Sequence, residues 1–268
     1  MMGIKVLVSG KGGCGKTTIA ALLAIILSQR GYNVLALDTD SVPNLAQSLG
    51  VPYDVASKIV PLVKNEAFVE ERTGAKPGEG WGVLFSLTPK VDDIADRYGI
   101  KIRDNLKLVV VGSIDVSKEG CMCPAIALAR MFLLHVLLSS RDVVIVDSEA
   151  GAEVFGRGLA EKFDLNLCVA EPTVKSLVIA KKLVSLAKQL GVKKNFVVIN
   201  KVVDVVETNQ LFSRVFADMR SDVEMHMVRF DEAIVKLENA GEGLQKLGND
   251  SIAYRDVGRI ADRIEKMM

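Results

Sequence analysis

Gly10-Lys11-Gly12-Gly13-Cys14-Gly15-Lys16-Thr17 is the stretch on which the reading of this chain turns. It fits G-x-x-x-x-G-K-[ST], with an apolar strand-like run before it at 5–9 and a helix-like run after it at 17–29. Glycines here let the backbone curl until successive N–H groups point at one anion, and the following helix adds the positive end of its dipole. In such a loop Lys16 meets the β- and γ-phosphates of a nucleoside triphosphate and the Thr17 hydroxyl holds magnesium. Gly12, Gly13, Cys14, Gly15 and Thr18 complete the expected phosphate cradle. The bland alternative is a chance glycine turn, but strand, motif and helix stand in register around it.

Working outward, residues 33–38, 106–111, 143–147, 166–170 and 196–200 are further apolar runs rich in Val, Ile and Leu, as strands covered on both faces require. Helix-like stretches at 124–139, 174–190 and 207–218 alternate with them, 224–228 offers a last strand and 252–268 a closing helix. The expected fold is α/β, a mainly parallel P-loop sheet with helices on both faces, in one domain over 1–268. Residues 51–104 interrupt the pattern with Pro77, Gly78, Gly80, Gly82, Pro89 and the single tryptophan, Trp81. That density of turn formers predicts a loop-rich insertion, either a surface excursion or a lid or partner-binding flap.

Composition bounds the rest. With 268 residues and 49% hydrophobic residues, the chain can bury a core without disulfides or a structural metal. Lys+Arg number 34 and Asp+Glu 33, a net charge of +1 that gives no global case for nucleic-acid binding. Two histidines exclude a histidine-rich metal-storage tract. The strongest apolar run, 131–138, is too short to span a membrane, and the start runs into a strand without a secretory leader. A cytoplasmic chain with reduced thiols is expected, with no membrane or nucleic-acid partner.

Lys11 is a second lysine that a plain phosphate loop does not need. K-G-G-x-G-K-T-T resembles the deviant Walker A loop of the SIMIBI-class ATPases, which include septum-site and plasmid-partition ATPases and the nitrogenase iron protein. The resemblance implies that Lys11 reaches across a two-fold dimer to the partner's nucleotide. Asp38-Thr39-Asp40-Ser41-Val42-Pro43-Asn44-Leu45 resembles the class's switch I, D-x-D-x-x-x-N-L. A carboxylate there orients the attacking water or a magnesium-bound water, a role that falls on Asp40, with Asp38 structural. Asp147 ends a strand as a Walker B aspartate does, and Gly151 follows it as the turn of switch II. Asn200-Lys201 resembles the class's adenine-reading position, and Arg229-Phe230-Asp231 stands near its second adenine-side loop, where Asp231 is the expected contact.

Of the four cysteines, Cys14 lies in the loop and Cys168 in a strand, where core packing is expected. Cys121-Met122-Cys123-Pro124 precedes a helix, and proline suits a first helical position. Both thiols then lie at a helix N-terminus, which favours thiolate, the metal-binding form. The alternative is two small apolar residues at a turn. His135, a dozen residues on, reads as a packed core residue. Two thiolates are too few for a closed site of four. The dimer implied by the loop's resemblance supplies two plus two.

The combination of loop and C-x-C-P resembles the carbon monoxide dehydrogenase maturation ATPases of CooC type over nearly the whole chain. The run 72–93, Glu149-Ala150-Gly151-Ala152-Glu153 and Gly156-Arg157-Gly158 also match; Val154 stands where that family has histidine, and Cys14 where an aliphatic residue is usual. The resemblance implies an ATP-hydrolysing homodimer that holds zinc or nickel between subunits on Cys121 and Cys123 and delivers nickel to carbon monoxide dehydrogenase. Its cofactors would be ATP or ADP and magnesium. Two alternatives stand: a septum-site or partition-type positioning ATPase, and an iron–sulfur reductase like the nitrogenase iron protein.

Overall fold

The computed structural model describes residues 3–40, 42–77, 84–113, 123–135, 141–150 and 163–268. The apolar runs form β1 (Ile4–Gly10), β2 (Asn33–Asp38), β4 (Leu106–Val110), β5 (Asp142–Asp147), β6 (Leu165–Ala170) and β7 (Lys194–Val202), with β3 (Ile100–Arg103) and β8 (Glu224–Arg229) at the edges. Among the described residues these eight strands make one sheet in the order β3-β4-β2-β5-β1-β6-β7-β8. Every pairing is parallel except β3 with β4. All seven residues of β1 are buried, as a central strand covered on both sides must be.

Ten α-helical segments lie among the described residues: α1 (Lys16–Gln29), α2 (Leu45–Ser48), α3 (Tyr53–Ala56), α4 (Glu66–Thr73), α5 (Ile94–Arg97), α6 (Cys123–His135), α7 (Val174–Gln189), α8 (Val205–Val215), α9 (Glu232–Asn239) and α10 (Ile252–Glu265). One face of the sheet carries α1, α2 and α10, with Val6, Val8, Val143 and Leu167 pointing into that layer. The opposite face carries α4, α6, α7 and α8 over Leu7, Val144, Cys168 and Val197. This alternation along each strand produces the three layers.

Position 252–268 reads as a packing helix, and α10 lays Val257, Ile260 and Ile264, all fully buried, on α1 and β8. Burying three such side chains contributes about 1.5–3 kcal/mol each. Asp256 on the same helix accepts a bidentate pair of bonds from the Arg229 guanidinium at 2.7 and 2.8 Å, plus the Arg229 N–H at 3.1 Å. No helix among the described residues is long and apolar enough to cross a membrane.

The core also holds a polar chain. The Ser9 hydroxyl donates to Asn166 Oδ1 at 2.6 Å, and Asn166 Nδ2 donates to Asn195 Oδ1 at 3.0 Å, linking β1, β6 and β7 through fully buried groups. Satisfied in this way, buried amides do not carry the penalty of unpaired ones.

Three regions add to or depart from the expectation. The stretch 51–104 is not merely loop-rich: it contains α3, α4, α5 and the edge strand β3, and buries Phe68, Val69 and Ile94. Helix α9 has no counterpart in the sequence reading. His135, expected in the core, is the last described residue of α6 and is exposed, while Phe132 and Leu128, one and two turns earlier, are buried.

Candidate functional site

The loop between β1 and α1 sits at the carboxyl ends of the parallel strands, the end of an open α/β sheet where ligands bind. Gly10 has φ 148° and a Cβ there would lie 2.3 Å from the Val169 carbonyl oxygen, so only glycine lets β1 pass β6 into the loop. Gly15, immediately before α1, has φ 93°, and a Cβ would lie 2.2 Å from Asn200 Nδ2. Lys11, Gly12 and Gly13 are exposed, whereas Lys16 is 7% exposed and aims its ammonium back over the loop, 3.4 Å from the Lys11 carbonyl oxygen. Cys14 turns its side chain into the core beneath the loop, where burial pushes its thiol pKa up, so it can offer a ligand only its backbone. The Thr18 hydroxyl lies 3.4 Å from Glu238 Oε1 of α9.

Four charged groups converge beside the loop. The Thr17 hydroxyl lies beside Asp147, and the charges of Lys16, Asp38 and Asp40 all act on that carboxylate. Asp147 Oδ1 is buried with no hydrogen-bond partner among the described residues. Desolvation, and then repulsion by Asp38, raise Asp147 to about 7. A hydroxyl beside a partnerless carboxylate oxygen in a crowd of negative charge fits a hard, oxygen-seeking cation such as magnesium.

Asp38, by contrast, is spent on the backbone. Its Oδ1 accepts from the Asp40 N–H at 3.1 Å and its Oδ2 from the Leu45 N–H at 3.0 Å. Asp38 thus holds the backbone after β2 at Asp40 and at Leu45, and Asp40 Oδ1 accepts from the Val42 N–H at 3.1 Å. Thr39 ties this segment to β5, its N–H and hydroxyl both reaching the Asp147 carbonyl oxygen, at 3.0 and 2.9 Å. The Ser113 hydroxyl donates to Glu149 Oε2 at 2.7 Å, joining the exit of β4 to the segment after Asp147.

The residues expected on the base side are placed differently from one another. Asn200 Nδ2 donates to the Cys14 carbonyl oxygen at 2.9 Å, and Lys201 Nζ donates to the Gly13 carbonyl oxygen and to Glu171 Oε1, each at 2.9 Å. Asp231 lies further off, at the start of α9, and its carboxylate accepts from the Ala233 N–H, the Ser251 hydroxyl and the Ala253 N–H. It is thereby committed to the starts of α9 and α10. Glu171 had no role in the sequence reading; the available signal was an acid at the carboxyl end of β6, level with the loop.

Cys123 opens α6 and is half-buried. Cys121, the switch II residues from Gly151 to Gly158 and Trp81 lie outside the described residues. Among the described residues, no three His, Cys, Asp or Glu side chains gather as a metal site. Cys168 is wholly buried, with its pKa pushed up to about 12 by desolvation, and is inert.

Residues 5–244 match the CobQ/CobB/MinD/ParA nucleotide-binding domain family. The chain belongs to that family. It is 40% identical over 98% of its length to an uncharacterized ATP-binding protein of Methanocaldococcus jannaschii, also covered over 98%. It is 39% identical to the carbon monoxide dehydrogenase accessory protein CooC of Rhodospirillum rubrum, over 89% of this chain and 88% of that one. The cell-division ATPase MinD of Pyrococcus furiosus superposes over both whole chains with a TM-score of 0.67 at 22% identity, which speaks for the fold alone. As a member of the CobQ/CobB/MinD/ParA family the chain is a P-loop ATPase with the MinD/ParA architecture.

Proposed function

We propose that this ATPase is a nickel metallochaperone that dimerises with ATP and holds its metal between two copies of the chain. The observation that carries the reading is the 39% identity to CooC across 89% of the chain, in a sequence that also has the C-x-C-P motif. The client would be a nickel–iron–sulfur enzyme of the carbon monoxide dehydrogenase kind, met in the cytoplasm.

In this reading Lys16 and the loop N–H groups bind the phosphates, and Thr17 and Asp147 are the residues that would hold magnesium, which neutralises charge on the phosphate oxygens when bound. Asp40, whose backbone N–H is held by Asp38, orients the attacking water. Lys11, exposed at the start of the loop, extends to the nucleotide of the second copy. Asn200 and Asp231 stand as candidate base contacts, Asn200 being the better placed. Cys121 and Cys123 would give each chain a two-thiolate clip, and two clips close a four-thiolate shell suited to nickel or zinc.

Metal binding and dimerisation must then be thermodynamically linked. Light scattering and metal analysis on one sample test this. Zinc or nickel should shift the mass towards dimer, with about half a metal per chain. Cys121→Ser or Cys123→Ser should abolish the metal-linked dimer and spare nucleotide binding. One metal per monomer, or unchanged stoichiometry in those variants, contradicts the shared site.

A further inference from the structure

In an extended strand Asn200 and Lys201 would point to opposite faces of the sheet. They do not, because β7 loses register with β8 between Ile199 and Val202, and Lys201 has φ 60°. It is the one described non-glycine residue with a positive φ, a conformation that L side chains adopt at a cost. The result is that consecutive side chains both reach the phosphate loop, Asn200 to the Cys14 carbonyl and Lys201 to the Gly13 carbonyl.

Those two carbonyls belong to successive peptide groups, whose N–H groups are those of Cys14 and Gly15. A trans peptide points its N–H opposite its C=O. Drawing both carbonyls outward turns both N–H groups the other way: that of Cys14 meets the Lys11 carbonyl oxygen at 3.5 Å across the loop, and that of Gly15 is held towards the side on which a phosphate would lie. Glu171, paired with the same ammonium at 2.9 Å, keeps Lys201 in place.

We propose that Lys201, held by Glu171, is a positioning residue that aims the phosphate loop at the nucleotide and does not read the base. The proposal rests on the loop being an ATP site. Glycine accepts φ 60° without strain, so Lys201→Gly removes the side chain and relaxes the backbone together.

The test titrates ATP and inorganic triphosphate, which carries no base, into the full-length wild type, Lys201→Gly, Lys201→Arg and Glu171→Gln, and melts each protein without nucleotide. Lys201→Gly should melt at or above the wild-type midpoint yet bind both ligands about tenfold more weakly, as loss of a charged hydrogen bond predicts. Lys201→Arg should recover part of the affinity, and Glu171→Gln should weaken both ligands in the same ratio. Wild-type affinity in Lys201→Gly overturns the proposal. So does a loss confined to ATP, which would make Lys201 a base reader, or a melting midpoint that falls with the affinity, which would make it a prop of the fold. A wild-type protein that bound no ATP would overturn the nucleotide site itself and this proposal with it.

Discussion

Asp38 and Asp147 end adjacent parallel strands at the same register position, and both are buried. Two carboxylates side by side in a dry interior repel each other, and burial raises Asp38 to about 6 and Asp147 to about 7. Asp38 spends its oxygens on the Asp40 and Leu45 N–H groups, whereas Asp147 keeps Oδ1 without a partner among the described residues. One aspartate holds the backbone after β2, and the other keeps an oxygen that the described residues do not satisfy.

That relationship sets a pH dependence. In the unfolded chain both groups ionise near 3.8, so between about pH 4 and pH 7 these two carboxyls hold more protons in the folded protein than in the unfolded. Their contribution to stability, without magnesium and nucleotide, therefore falls as pH rises through this window. Denaturant midpoints should be lower at pH 8 than at pH 5.5, and Asp147→Asn should remove most of the difference while abolishing magnesium-dependent hydrolysis. A midpoint that rises with pH contradicts the assignment.

Asp40→Ala should bind ATP normally and hydrolyse it about 10²–10⁴-fold more slowly, the range for a group that handles the attacking water. The variant should accumulate as an ATP-bound dimer in gel filtration. Normal turnover would remove Asp40 from the mechanism.

The two loop lysines should separate cleanly. Lys16→Ala should lose phosphate binding outright, whereas Lys11→Ala, changing an exposed side chain, should keep monomer affinity and weaken ATP-driven dimerisation. Equal loss of nucleotide in both variants, with alike dimerisation, would contradict the cross-subunit role of Lys11.

Gly15→Ala tests the contact with Asn200. The new methyl would sit 2.2 Å from Asn200 Nδ2 on a backbone at φ 93°. Strain of about 1–2 kcal/mol follows from the backbone alone. The melting point should drop by several degrees and ATP affinity at least tenfold; wild-type behaviour would mean that the loop relaxes freely.

The layered sheet was legible because the strands are buried on both faces and read as unbroken apolar runs, and the loop because its glycines answer a steric demand visible in spacing. Residues 51–104 were not, because α3 and α5 are four residues each and β3 mixes Ile100 and Ile102 with Lys101 and Arg103, too short for periodicity to separate from turns. Helix α9 is only eight residues long and buries none of them fully; Ala233, Ile234 and Leu237 pack on the core, too short a stripe for periodicity to establish. Glu171 escaped notice because its partner, Lys201, is thirty positions away and meets it only through the left-handed turn of β7.

The Ser9–Asn166–Asn195 chain has a consequence for assembly. Most strands here are nearly interchangeable lengths of Val, Ile and Leu, and apolar packing alone discriminates poorly between one alignment of such strands and the next. A slip of β6 by one residue would carry the Asn166 amide to the other face and strand Ser9 and Asn195 in hydrocarbon, each buried orphan costing about 1–3 kcal/mol. Three small polar side chains thus act as a proofreading element for the alignment of β1, β6 and β7, on which the geometry of the loop and of Lys201 depends.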